Sequence, residues 1–409
     1  MTLLKLGIYV ILISSLLSSC GLFGGGDDDI KGGEVVWSVK NQEILTVSTK
    51  PTIDEDHVYF IQDAKLKSYT LKKGEHRWSV RICQQGRTCD YSRTIVQTED
   101  LLFIDQGFTI QAHAKSDGRI IWETNITDDA VEVSGIGSPI MSQDQTYLYA
   151  GRKGYVLKVQ KSNGEIIHRY ELDRMVPDGV IQGSTEPIIS PFGDDILYVP
   201  GSYFDHSQPT PEKASGGNIF AFNALNGALI WEREIIVTIP NPYPDIPGDS
   251  LTGSPMIYDI SVTEDEVIVL AGFSIVALDR MTGDPVWKTY FSKGGFDVGL
   301  AVKDNGVYAA SIGSFATRLD LLTGNVLWQR DIKFSNTSIP TIQDGRMYFN
   351  NSGGGGIWVL DTEDGSVIYN EPPPNHSNDS FDVYISSLGV GEGYMVNVGS
   401  KAVYCLTVP

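Results

Sequence analysis

Four cysteines and six histidines hold the most reactive side chains in this chain of 409 residues. Cys83 and Cys89 are separated by five residues of a polar stretch. In an oxidising compartment they could close a small loop as a disulfide; in a reducing one they stay two free thiols. Cys405 lies in the apolar run Ala402-Val403-Tyr404-Cys405-Leu406 and reads as a buried, inert thiol. The histidines (His57, His76, His113, His168, His206 and His376) are scattered, with no His-x-x-x-His or His-Glu-x-x-His spacing for a metal. There is no Gly-x-Ser-x-Gly elbow and no phosphate-binding loop; Gly353-Gly354-Gly355-Gly356 joins two strand-like runs instead of opening a helix. The residues therefore point away from an enzyme and imply no metal and no cofactor.

The fourth cysteine has a different setting. Lys5 gives a short basic region, and residues 6–17 form an apolar run too short to span a bilayer, which takes about 20 residues. The run reads as the core of a signal peptide. It ends in Leu17-Ser18-Ser19-Cys20-Gly21, which resembles the bacterial lipobox. That resemblance implies that Cys20 is lipidated and becomes the first mature residue, and Gly21 in place of Asp implies sorting to the periplasmic face of the outer membrane. Gly24-Gly25-Gly26-Asp27-Asp28-Asp29 reads as a flexible tether. The expected organisation is a signal peptide over 1–19, a lipidated cysteine and tether over 20–31, and one domain over 32–409. An oxidising periplasm favours the disulfide for Cys83 and Cys89. The net charge of -20 argues against nucleic acid as a partner and against adsorption on anionic lipid.

The elements that would position any site are set by a repeat. A glycine stands four residues before an aromatic at Gly33/Trp37, Gly74/Trp78, Gly118/Trp122, Gly164/His168, Gly227/Trp231, Gly283/Trp287, Gly324/Trp328 and Gly365/Tyr369, with His168 as the one imidazole in the series. Successive glycines are 41, 44, 46, 63, 56, 41 and 41 residues apart, and a period in the low forties is the length of a four-stranded propeller blade. Short β-branched and aromatic runs precede each glycine, such as Val267-Ile268-Val269-Leu270 and Ile275-Val276-Ala277-Leu278. Proline opens several innermost strands, as at Pro51, Pro139, Pro187, Pro255 and Pro340. The chain ends in two middle strands with no glycine–aromatic strand after them, and the mature part begins with such a strand. The expected fold is all-β: an eight-bladed β-propeller of four-stranded antiparallel blades, closed by N- and C-terminal strands that share one blade.

Strand order then assigns faces. The first-to-second turn and the glycine turn lie on one face; the second-to-third turn and the connection between blades lie on the other. The long segments fall on the second face: 201–217 as a loop, 236–253 as a Pro- and Asp-rich connection, 80–94 with the cysteine pair, 175–186 and 371–382. Long loops on one face of a rigid scaffold are where binding is expected.

The unit Val276-Ala277-Leu278-Asp279-Arg280-Met281-Thr282-Gly283-Asp284-Pro285-Val286-Trp287 resembles the repeat of pyrroloquinoline-quinone dehydrogenases, and the resemblance covers the mature chain. The quinoprotein enzymes carry adjacent cysteines over the cofactor, whereas Cys83 and Cys89 are separated. Length, lipobox, eight blades and closure resemble instead the propeller lipoproteins of the outer-membrane β-barrel assembly machinery. Membership of that family implies a non-enzymatic scaffold without a cofactor, docking on the barrel-forming subunit and helping to deliver nascent outer-membrane proteins. The family's docking run, Leu-x-Leu-Arg-Gly ahead of a strand-opening proline, matches Gly179-Val180-Ile181-Gln182-Gly183 ahead of Pro187. Ile181 keeps the apolar position; Gly179 and Gln182 stand where the family has Leu and Arg. A second, acidic patch corresponds to Asp245 and Asp249. The alternatives are a propeller lipoprotein that binds a small molecule or polysaccharide and, more remotely, a quinoprotein dehydrogenase.

Overall fold

The structure is a computed structural model. It describes residues 33–41, 49–82, 95–106, 108–126, 141–152, 154–172, 180–184, 187–204, 215–240, 250–296, 298–311, 315–332, 338–351, 356–374, 382 and 384–409.

Eight antiparallel sheets form an eight-bladed propeller. Blade 1 runs outward through Thr52–Ile53, His57–Gln62, Lys65–Thr70 and His76–Arg81. Blades 2 to 7 follow in chain order and begin at Val96–Gln97, Met141–Gln143, Ile188–Ile189, Ile257–Val262, Leu300–Lys303 and Thr341–Gln343. Blade 8 takes Gly389–Gly391, Tyr394–Val398 and Ala402–Thr407 from the C-terminus and its outermost strand, Val35–Lys40, from the N-terminus. In this closure Trp37 pairs with Cys405 and Lys40 with Ala402. The expected count and the shared blade are both present.

The innermost strands meet around the axis. Gln143 donates its side-chain amide to the carbonyl of Gln97, and Gln97 to that of Ile53, so three neighbouring blades are laced at the centre.

The sequence pattern follows from what covers each strand. A middle strand has a neighbouring blade on both sides, so it reads as a continuous apolar run; every residue of Glu266–Ala271 is buried. An outermost strand is covered only where the repeat aromatic turns inward. In Leu229–Glu234 the bulge skips Ile230, so that Trp231 pairs with Ala221 and Leu229 with Phe222. Trp231 is buried while Leu229 and Ile230 are exposed.

Each repeat aromatic covers the glycine of the next blade. Gly283 has a φ of +73°, which glycine adopts without strain, and a Cβ there would stand 2.6 Å from the Trp231 ring. The same contact recurs around the ring and ends with Tyr369 over Gly33. The indoles also donate to a turn carbonyl of the next blade: Trp122 to Lys161 at 2.7 Å, Trp231 to Arg280 at 3.1 Å and Trp287 to Leu321 at 2.7 Å. In blade 3, where the aromatic is His168, Tyr170 supplies the hydroxyl that reaches the equivalent carbonyl, Ala224, at 2.9 Å. The apolar core is thus divided into eight clusters, one at each junction between adjacent blades.

Two expectations for the connection face need correction. Residues 201–217 are not a loop throughout. The second and third strands of blade 4, Ile196–Phe204 and Ser215–Asn223, are nine residues each and pair to their ends, Phe204 opposite Ser215. Nor is 236–253 a plain connection: Val237–Pro240 and Ser250–Gly253 form a separate two-stranded hairpin.

Candidate functional site

The reactive side chains that are described serve the fold. His57 lies 3.3 Å from Asp54, which also accepts from Tyr59 and Lys115. Burial pushes the Asp54 carboxyl up, but Lys115 and these hydrogen bonds outweigh it and hold the group below the usual carboxylate range. His76 contacts the Ser79 hydroxyl, and His168 covers Gly227 as the packing residue expected of it. His113 is fully buried, 2.9 Å from the Gly118 carbonyl oxygen and 3.1 Å from Gln111. Burial pushes its pKa down, against the opposing pull of Gly118 and Glu123. Cys405 is a free, buried thiol, and burial pushes its pKa up. Among the described residues no three His, Cys, Asp or Glu side chains are gathered to hold a metal ion. Cys20, Cys83 and Cys89 lie outside the described residues, as do His206 and His376.

The departures from the regular blade concentrate around blade 4. The overhang of its middle strands carries a further strand, Val180–Ser184, which pairs antiparallel with Ile196–Phe204: Val180 opposite Phe204, Ile181 opposite Tyr203, Gly183 opposite Ser202. The register shifts between Ile181 and Gly183, so Gln182 is the extra residue of a bulge. Two of the residues expected to bind a partner are therefore neighbours in a strand, and the third is its bulge.

This three-stranded ribbon is tied to blade 5. The Ser202 hydroxyl accepts from the Ile257 N–H at 3.0 Å and donates to the Ile257 carbonyl at 3.2 Å. Ser254 accepts from the Gly217 N–H at 2.9 Å. A Cβ on Gly217 would stand 2.5 Å from the Pro255 carbonyl oxygen, so the two blades approach as closely as a bare backbone allows. The hairpin follows directly on the outermost strand of blade 4. The Ile235 N–H donates to the Gly217 carbonyl at 2.8 Å, and Thr238 and Thr252 join their hydroxyls across the two strands at 2.9 Å. Ile236, at the hairpin's base, is 54% exposed. On the same face Arg152 and Asp105, at the ends of the second strands of blades 3 and 2, form a buried two-pronged ion pair at 2.6 and 2.9 Å.

Ribbon and hairpin are thus rigidly founded strands on one side of the ring, with backbone edges that a protein partner could meet. Gly179, Asp245 and Asp249 lie outside the described residues, so the structure does not place the acidic patch beside the ribbon. The strand at Val180–Ser184 and the hairpin were not anticipated. Alternation in Val237-Thr238-Ile239 and Leu251-Thr252 was the available signal for the hairpin, inside a stretch dominated by proline.

Comparison with known proteins agrees with this geometry. The family model described as outer membrane protein assembly factor BamB matches residues 93–263 and 271–400. The outer membrane protein assembly factor BamB of Yersinia pestis is 22% identical over 421 residues, covering 96% of this chain and 88% of its own length. Among solved structures, BamB from Moraxella catarrhalis superposes with a TM-score of 0.62 at 13% identity, over 92% of this chain and 99% of that one. A quinohemoprotein alcohol dehydrogenase from Comamonas testosteroni gives 0.66 at 11% identity, over 92% and 77%. At such identities these superpositions establish a shared fold.

Proposed function

Since the chain belongs to the family of the outer membrane protein assembly factor BamB, we propose that it is a periplasmic scaffold lipoprotein without enzymatic activity, binding protein partners during assembly of β-barrel proteins into the outer membrane. Family membership over most of the chain carries this reading. In it, Cys20 is the lipid anchor, residues 1–19 are the signal peptide, and the blade 4 ribbon with Val180, Ile181 and Gln182 is the docking site. Gly179 and the acidic Asp245 and Asp249 flank it in sequence. Cys83 and Cys89 form a disulfide on the connection face. The partners are the barrel-forming subunit of the assembly machinery and nascent outer-membrane proteins. A strand set on a ribbon suits such partners, since it offers backbone hydrogen bonds as well as side chains.

Crosslinking in intact cells followed by capture of the lipoprotein tests this. The barrel-forming subunit is expected in the captured material, and Ile181→Asp is expected to lower its recovery about tenfold, corresponding to ~1.4 kcal/mol of binding. Cys20→Ala should move the chain from the outer-membrane fraction to the soluble periplasm. Undiminished capture by the Ile181→Asp chain would remove the ribbon from the docking site. Unchanged outer-membrane protein levels on deletion of the gene would remove the assembly role.

A further inference from the structure

The outermost strand of blade 8 is led in by Gly33, which holds the place that the repeat glycines hold in the other seven blades. It has a φ of +85°, it lies beneath the aromatic of the preceding blade, Tyr369, and its N–H donates to the Thr407 carbonyl at the end of the third strand. The chain therefore enters the propeller on the face of the glycine turns, at the rim. Residues 21–32, a glycine- and aspartate-rich stretch, separate it from Cys20.

Twelve residues of flexible chain span roughly 20 Å root-mean-square and about 40 Å when fully drawn out. A six-residue strand is about 20 Å long. To present the connection face to the bilayer, the tether would have to run back along a whole outer strand, which takes up its full root-mean-square span at a cost in conformational freedom. With the glycine-turn face toward the bilayer, no such cost arises.

The charge on that face does not choose the orientation, which the tether's point of entry sets; it governs how far from the bilayer the face stands. Every one of the eight first-to-second turns around the axis carries a carboxylate, from Asp54 in blade 1 to Glu392 in blade 8. Two of the cations on that face are engaged by these carboxylates, Lys115 by Asp54 and Arg280 by Asp194. An anionic face is repelled by anionic lipid over about a Debye length, roughly 8–10 Å, and does not settle onto it.

We infer that the anchored propeller stands with its acidic glycine-turn face toward the bilayer, held off at tether length, and presents the connection face with the blade 4 ribbon to the periplasm. This rests on the anchoring at Cys20 proposed above.

The two ends of single strands can report the orientation. A fluorescent amino acid is placed at Thr323, in the glycine turn of blade 6, or at Asp331, at the far end of the strand Val326–Asp331 that follows. A second pair, Asn226 and Glu234, does the same in blade 4, diametrically opposite the point of entry. The full lipidated chain is reconstituted in phosphatidylcholine vesicles carrying a headgroup nitroxide. Quenching at Thr323 and Asn226 should exceed that at Asp331 and Glu234 at least threefold. Equal or reversed quenching, in a chain that still floats with the vesicles, overturns the orientation alone. A chain that does not float, and behaves as its Cys20→Ala variant does, overturns the anchor and the orientation with it.

Discussion

A glycine under an aromatic looks interchangeable from blade to blade, yet each such pair is a demanding contact. Gly283→Ala would combine a left-handed backbone with a Cβ pressed 2.6 Å from Trp231, and should destabilise the protein by about 1–3 kcal/mol in urea unfolding. Trp231→Ala should cost about 3–5 kcal/mol, since it empties a junction between two blades. The four-residue spacing made these residues visible in the sequence. The compensation in blade 3 was not visible, because Tyr170 replaces a hydrogen bond that only the three-dimensional register reveals as missing beside His168. His113 offers a pH prediction. Its pKa is lowered in the folded state, so below the ordinary value near 6.5 the unfolded chain binds more protons, and stability falls as pH drops through that window. The urea midpoint should therefore decline between pH 7.5 and 5.5, and less steeply in His113→Gln. Identical slopes for the two proteins would refute the assignment.

Elements were legible where burial dictates their pattern and obscure where two blades crowd together. Gly201, Gly216 and Gly217 read as parts of a loop, because glycine usually punctuates strands. In the structure they belong to two long strands, and Gly217 is small because the Pro255 carbonyl passes beside it. Close approach and turning use the same residue, so composition alone misassigned the ribbon. Its attachment can be tested. Ser202→Ala leaves the buried N–H and carbonyl of Ile257 without the hydroxyl that serves both, a loss of about 1–3 kcal/mol. Amide exchange in 201–204 and 215–218 should quicken while the other blades keep their protection. A uniform change across all eight blades would mean the ribbon is not a separately secured element.

At the scale of the molecule, the count of eight and the shared blade were readable from the ends of the chain, and the division of the core into eight junctions follows from them. What no linear reading shows is that every aromatic points the same way around the ring. Trp37 reaches into blade 1, Trp328 into blade 7, and Tyr369 returns to Gly33. Such a contact joins unlike surfaces, a donor side and an acceptor side, and it is closed only because the eighth step meets the first. Without residues 33–40 the closing contact is lost: Tyr369 has no glycine to cover and the strand Ala402–Thr407 has a bare edge. Size-exclusion chromatography of that truncated chain should show concentration-dependent oligomers, and a strictly monomeric product would contradict this. The strand that completes blade 8 therefore does more than stabilise one molecule: by occupying an interblade seat that another copy could fill, it keeps a self-complementary ring from becoming the repeating unit of a filament.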